Sequence, residues 1–153
     1  REGFPATLAI AVSSRLEDVR ARICAQLDLP DVPDWILLLP PREDVASYYH
    51  MADVFLSPSR QEGFCYALVE AAYCRTRVLA SDIDAQKDLA LPKSSFFPPQ
   101  DAAALSSALL RVMREEHTPS REQLLDQASE RVRQTYALSR WAERVCAAYD
   151  EIL

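Results

Sequence analysis

Residues 52–72 read Ala52-Asp53-Val54-Phe55-Leu56-Ser57-Pro58-Ser59-Arg60-Gln61-Glu62-Gly63-Phe64-Cys65-Tyr66-Ala67-Leu68-Val69-Glu70-Ala71-Ala72. The apolar run Val54 to Leu56, closed by Ser57-Pro58-Ser59, predicts a buried strand that ends in a loop. The chain then turns at Gly63, where a missing side chain lets backbone approach a ligand closely. From about Cys65 the apolar spacing becomes helical, with Leu68, Ala71 and Ala72 covering one face. Strand, acidic turn and helix together form the local geometry of a nucleotide site.

The chemistry of such a segment follows from its parts. A helix start offers unpaired backbone N–H groups and the positive end of the peptide dipoles, so a diphosphate can sit there without a metal. Glu70 lies about two turns into the helix, which at roughly 1.5 Å per residue separates it from Glu62 by on the order of 10 Å. A nucleotide sugar spans that gap. Each carboxylate has two acceptor oxygens, suited to adjacent hydroxyls on a ribose or a hexose.

Outward from this segment, strands and helices alternate. Thr7 to Ser13 reads as a strand, and Ser14 with Glu17 has capping-box spacing at the head of a helix reaching about Leu27. Trp35 to Leu39 is the next strand, ended by Pro40-Pro41, and Glu43 to Met51 the next helix. Val78 to Ala80 and Ser94 to Phe97 complete five strands, an order that favours a parallel sheet with covering helices. After Pro98-Pro99 the pattern is helical. Ala102 to Arg114 should face inward with Leu105, Leu109 and Val112 or Met113. Thr118-Pro119-Ser120 breaks this helix, a second runs to about Tyr136, and Ser139 can cap a third carrying Trp141, Val145 and Tyr149.

Composition narrows the function classes. The chain has 153 residues, 49% of them hydrophobic, which fits one compact domain over residues 1–153. No apolar run approaches the roughly 20 residues that cross a bilayer, and the first residues do not resemble a signal peptide. With no initiating Met, the chain reads as an excised fragment or a processed chain. A net charge of −6 argues against broad attachment to nucleic acid or anionic lipid. Cys24, Cys65, Cys74 and Cys146 lack paired CxxC spacing and nearby histidines, so they read as reduced thiols of a cytoplasmic protein with no metal site. His50 and His117 are isolated, and His50 is expected to be structural.

The 52–72 segment, with its glutamates eight positions apart, resembles the donor-sugar motif of the retaining glycosyltransferases of family 4, which have the two-domain GT-B fold. The likeness extends over nearly the whole chain, with Ala80-Ser81-Asp82 similar to the family's next strand and donor-side loop and the helical tail similar to its end. It implies a Rossmann-like three-layer α/β domain, the C-terminal half of a GT-B enzyme, without the N-terminal acceptor domain. It also implies metal-independent transfer of a sugar from a nucleotide diphosphate to an unidentified acceptor, with retained anomeric configuration. By this resemblance Glu62, Gly63, Phe64 and Cys65 would hold the donor sugar, Glu70 the ribose, and the loop of Pro40, Pro41 and Arg42 would lie near the nucleobase. No residue is assigned as catalytic. The implied partners are the nucleotide sugar and the acceptor domain, and this half alone is expected not to complete a transfer.

The sequence departs from the family pattern at several points. The Arg and Lys that neutralise the diphosphate precede the family's corresponding first strand, and Arg1 does not restore them. The family's glycine after the first strand falls near Val12 or Ser13, its glycine pair after the fourth near Asp84-Ala85, and Arg75 and Arg77 replace a Gly and a Pro. Only Gly3 and Gly63 remain where about 7% glycine, or roughly eleven, would be average, which excludes a Gly-rich phosphate cradle. If Arg75 adopts a left-handed turn, the cost is about 1–2 kcal/mol. Either Arg75, Arg77 or Lys87 supplies compensating charge, or the domain is a degenerate, non-catalytic binding or interaction module. A sugar-nucleotide epimerase fragment is a further alternative, but it needs acid and base groups this half does not supply.

Overall fold

The structure is a computed structural model that describes residues 5–12, 15–87, 91–115 and 118–151. They cluster in two compact units, one ending at Asp44 and the other beginning at Val45. Expectations that rest on Arg1, Gly3, Ser13, Ser14 and His117 lie outside the described residues.

The first unit is a β–α–β segment: strand β1 (Leu8–Ala11), helix α1 (Leu16–Leu27) and strand β2 (Ile36–Leu39). The strands pair in parallel, with Leu8 opposite Ile36 and Ala11 opposite Leu39. β2 stops where Pro40 and Pro41 remove the amide hydrogens that would extend the ladder. Arg15 occupies the N-cap of α1 in a left-handed conformation, with no side-chain cap bond, while Glu17 and Asp18 complement the dipole in the first turn.

The second unit contains helix α2 (Ala46–Met51), strand β3 (Val54–Ser57), helix α3 (Tyr66–Tyr73), strand β4 (Arg77–Ser81) and the short helix α4 (Asp84–Lys87). A 3-10 turn (Lys93–Ser95), strand β5 (Phe96–Phe97) and helices α5 (Ala102–Arg114), α6 (Pro119–Tyr136) and α7 (Leu138–Asp150) follow. The sheet order is β3-β4-β5, all parallel, with Phe55 opposite Val78 and Ser81 opposite Phe97. β4 is buried on both faces: Val78 and Ala80 join a cluster with Leu68, Ala71 and Ala72 of α3 and Val132 of α6, while Leu79 packs with Phe97, Ala108 and Val112 on the α5 side. Helices, sheet and helix make the three layers expected.

Several boundaries differ from expectation. α2 begins at Ala46, not Glu43; the acidic pair Glu43-Asp44 instead precedes the positive end of its dipole. His50 is exposed in the last turn of α2. Ser94 and Ser95 belong to the 3-10 turn, because Pro92 at φ −56° starts a turn that the bond from Ser95 N–H to the Pro92 carbonyl (2.8 Å) closes. α5 has the expected span, with Asp101 accepting from Ala104 N–H at 2.8 Å as its cap, Val112 inward and Met113 outward. Thr118 caps α6 by accepting from Arg121 N–H, ahead of Pro119. Ser139 does not cap α7. Only Ala137 separates α6 from α7, so Ala137 is the N-cap, its carbonyl takes the amide of Trp141, and Ser139 falls inside the first turn. Trp141 and Tyr149 are exposed on α7 and Val145 is half-buried. No helix among the described residues is long and apolar enough to cross a membrane.

Candidate functional site

Strands β3 and β4 run in the same direction and end at Ser57 and Ser81, so the 58–65 loop leaves the carboxyl edge of the sheet, where open α/β sheets bind ligands. In this loop Glu62 is half-buried and accepts from Ser59 Oγ at 2.7 Å. Gly63 is exposed, a Cβ built there meets nothing within 4 Å, and its φ lies outside the left-handed region. The chain's own geometry therefore does not demand glycine at this point. Phe64 is partly exposed and packs edge-on against Tyr66 and Tyr136, with centroids 4.8 and 5.4 Å away. Cys65 is buried and is the N-cap of α3, without a side-chain cap bond; its carbonyl accepts from the amides of Leu68 and Val69. The amides ahead of them have no intrahelical partner, as at any helix start, and no side chain caps them.

Glu70 stands exposed in α3, and its Oε2 accepts from the Tyr49 hydroxyl at 2.8 Å. Tyr49 is itself buried in the core. Burial, reinforced by the bond to the Glu70 carboxylate, raises its phenol pKa above the ordinary value and keeps it a hydrogen-bond donor. The two glutamates share one loop-and-helix segment, yet each is held by a hydroxyl of its own. Pro40, Pro41 and Arg42 form exposed coil after β2 in the first unit.

A buried polar cluster at the ends of β3 and β4 escaped sequence reasoning. Gln86 and Ser81 are wholly buried, Ser57 and Cys65 nearly so. Gln86 Nε2 donates to Ser57 Oγ at 2.6 Å, and Ser57 Oγ lies 3.5 Å from Cys65 Sγ. Gln86 Oε1 and Ser81 Oγ are buried without a partner among the described residues. Tyr49 was missed too, because no local pattern ties it to a glutamate 21 positions later. The apolar runs of β3 and β4 could have marked Ser57 and Ser81, at their ends, as inward positions; nothing comparable marks Gln86.

The basic residues considered as compensating charge are committed elsewhere. Arg75 takes the left-handed turn, at φ 61°, and pairs with Glu122 at 3.1 Å and Asp126 at 2.6 Å on α6. Arg77 donates to the Val112 carbonyl at 3.2 Å and pairs with Glu115. Both precede or begin β4, at the amino edge of the sheet, roughly 13 Å of strand from its carboxyl edge. That distance removes them as partners for a ligand at the α3 start. Lys87, on α4 beyond the carboxyl edge, pairs with Asp82 at 3.3 Å and Asp84 at 3.7 Å. Asp84-Ala85, in place of the glycine pair, open α4.

The family profile described as Glycosyl transferases group 1 matches residues 6–131. A lipopolysaccharide core biosynthesis mannosyltransferase, LpcC of Rhizobium leguminosarum bv. viciae, is 30% identical over 122 residues, 78% of this chain and 34% of the relative. Sucrose-phosphate synthase from Thermosynechococcus elongatus superposes with a TM-score of 0.77 at 25% identity, over 95% of this chain and 38% of that one. HepE of Anabaena, solved in complex with UDP, gives 0.78 at 14% identity, over 95% of this chain and 41% of that one. The chain thus spans about a third of the mannosyltransferase's length, and the solved folds agree with the Rossmann-like half of a GT-B enzyme. With the profile match covering most of its residues, this chain belongs to the group 1 glycosyl transferase family.

Proposed function

We propose that this chain is the donor-binding half of a family 4 retaining glycosyltransferase, which moves a sugar from a nucleotide diphosphate to an acceptor. In that reaction the bond from the anomeric carbon to the diphosphate oxygen breaks, and an acceptor oxygen bonds on the same face. Glu62 orients the donor sugar, with Phe64 and Cys65 bordering it, and Glu70 binds the ribose. The amides around Gly63, Phe64 and Cys65, at the positive end of α3, meet the charge that builds on the leaving diphosphate, so no metal is required. The names of relatives support a nucleotide-sugar donor: one is a mannosyltransferase and another was solved with UDP.

The observation that carries this reading is Gly63, a glycine facing open space at an uncapped helix start, with no internal reason to lack a side chain. Calorimetry with UDP, GDP and ADP in the presence of EDTA tests it. At least one should bind, Glu70→Ala should weaken it by about 10- to 150-fold, equivalent to roughly 1.5–3 kcal/mol for a charged hydrogen bond, and Gly63→Ala should weaken it without loss of fold. The helical turn at Asp84-Ala85 and the distant commitments of Arg75 and Arg77 favour a second reading, a degenerate binding module. Absence of binding to all three nucleotides would select it.

A further inference from the structure

We propose that Tyr49 is a positioning residue for Glu70, and that through this hydrogen bond the site distinguishes a ribose from a deoxyribose. The inference rests on the donor-binding reading above. Glu70 is exposed on α3, and a free glutamate there would sample many rotamers, each presenting its oxygens differently. Tyr49 fixes one of those oxygens, Oε2, at 2.8 Å and leaves Oε1 to meet a vicinal hydroxyl.

The tyrosine is held well enough to act as a reference point. It is only 7% exposed, and its ring meets Phe55 edge-on with centroids 5.5 Å apart. Its carbonyl accepts from the Thr76 hydroxyl at 2.8 Å and from the amide of Ala52 at 3.2 Å. Thr76 is buried between α3 and β4, so the frame behind the phenol belongs to the core. A core that needed only to satisfy a buried hydroxyl could use a backbone carbonyl. Here the partner is instead the exposed carboxylate on the helix that follows the Gly63 loop.

The test compares whichever of UDP, GDP and ADP binds best with its 2′-deoxy and 3′-deoxy counterparts, on the wild-type chain, Tyr49→Phe, Glu70→Ala and the double variant. Phe keeps the ring against Phe55 and leaves the backbone bond from Thr76 intact, and circular dichroism checks its fold. The wild type should prefer the ribonucleotide by about tenfold or more, as loss of a charged hydrogen bond gives. Tyr49→Phe should reduce that preference to within about threefold, and on the Glu70→Ala background it should change nothing further. A purely structural Tyr49 would lower the melting temperature while leaving the ribose preference unchanged, which overturns the inference. A wild-type chain that binds both sugars equally also overturns it, although diphosphate binding stands. If no nucleotide binds the wild type, the donor-binding reading falls and this inference falls with it.

Discussion

Ser57→Ala is the sharpest test of how the carboxyl edge is built. The substitution removes the acceptor of Gln86 Nε2, 2.6 Å away, on a side chain that is wholly buried. Gln86 Oε1 already has no partner among the described residues, so the buried amide would then hold two atoms unpaired by them. A buried donor stripped of its acceptor costs about 1–3 kcal/mol, whereas replacing both partners by apolar groups is nearly neutral. Gln86→Leu takes the orphaned oxygen away with the donor and leaves Ser57 Oγ its 3.5 Å contact with Cys65 Sγ, so it should cost less than Ser57→Ala. The double variant should return to within about 1 kcal/mol of the wild type, a coupling of roughly 1–2 kcal/mol between the two sites. At this chain length each kcal/mol moves the melting temperature by about 2–4 °C. Urea unfolding followed by Trp141 emission in a Trp35→Phe background reports the second unit alone, since Trp35 lies in the first. Ser57→Ala within about 0.5 kcal/mol of the wild type, or a double variant as unstable as the worse single one, would refute the reasoning.

Arg75→Gly should be more stable than Arg75→Ala by about 1 kcal/mol, because both lose the ion pairs with Glu122 and Asp126 but only alanine must still hold φ 61°; equal melting temperatures would remove the strain argument. The raised pKa of Tyr49 has a definite sign in stability. The folded chain keeps a proton that the unfolded chain releases near the ordinary value of 10.0, so this contribution is complete below pH 10 and is lost as pH climbs toward the folded-state value. The urea midpoint should therefore fall more steeply above pH 10 in the wild type than in Tyr49→Phe, and parallel declines would count against the buried, carboxylate-bonded phenol. In the ligand assays, Glu70→Ala should lose affinity for the bound nucleotide in calorimetry, and its melting temperature should fall by a few degrees at about 2–4 °C per kcal/mol, because the hydroxyl of the buried Tyr49 loses its acceptor.

The strand, loop and helix of residues 54–73 were legible in the sequence because their signals are local: a short apolar run closed by Ser-Pro-Ser, then apolar residues at helical spacing. α5 was legible to the residue, since Asp101 caps it and charge closes it. Ser139 shows the limit of that logic. A good capping residue is passed over when the helix starts ahead of it and takes it into the first turn. The left-handed turn at Arg75 could be foreseen only as a consequence of replacing a glycine, and its ion pairs with α6, some fifty positions later, could not. The same holds for Tyr49 and Gln86, whose partners are set by packing between elements distant in sequence.

The loss of glycine after β4 has a mechanical consequence. A glycine pair would let a loop close on phosphate; Asp84-Ala85 instead start a helical turn, and that turn delivers Gln86 into the core. From Gln86 Nε2 through Ser57 Oγ to Cys65 Sγ, a line of polar contacts runs from α4 across the end of β3 to the N-cap of α3. The helix start that carries the uncapped amides is thereby tied to the segment that follows β4. The rigidity of the Gly63 loop then depends on a buried amide and two small side chains. Substitutions at Gln86 should accordingly reach the Gly63 loop through Cys65, although Gln86 is wholly buried.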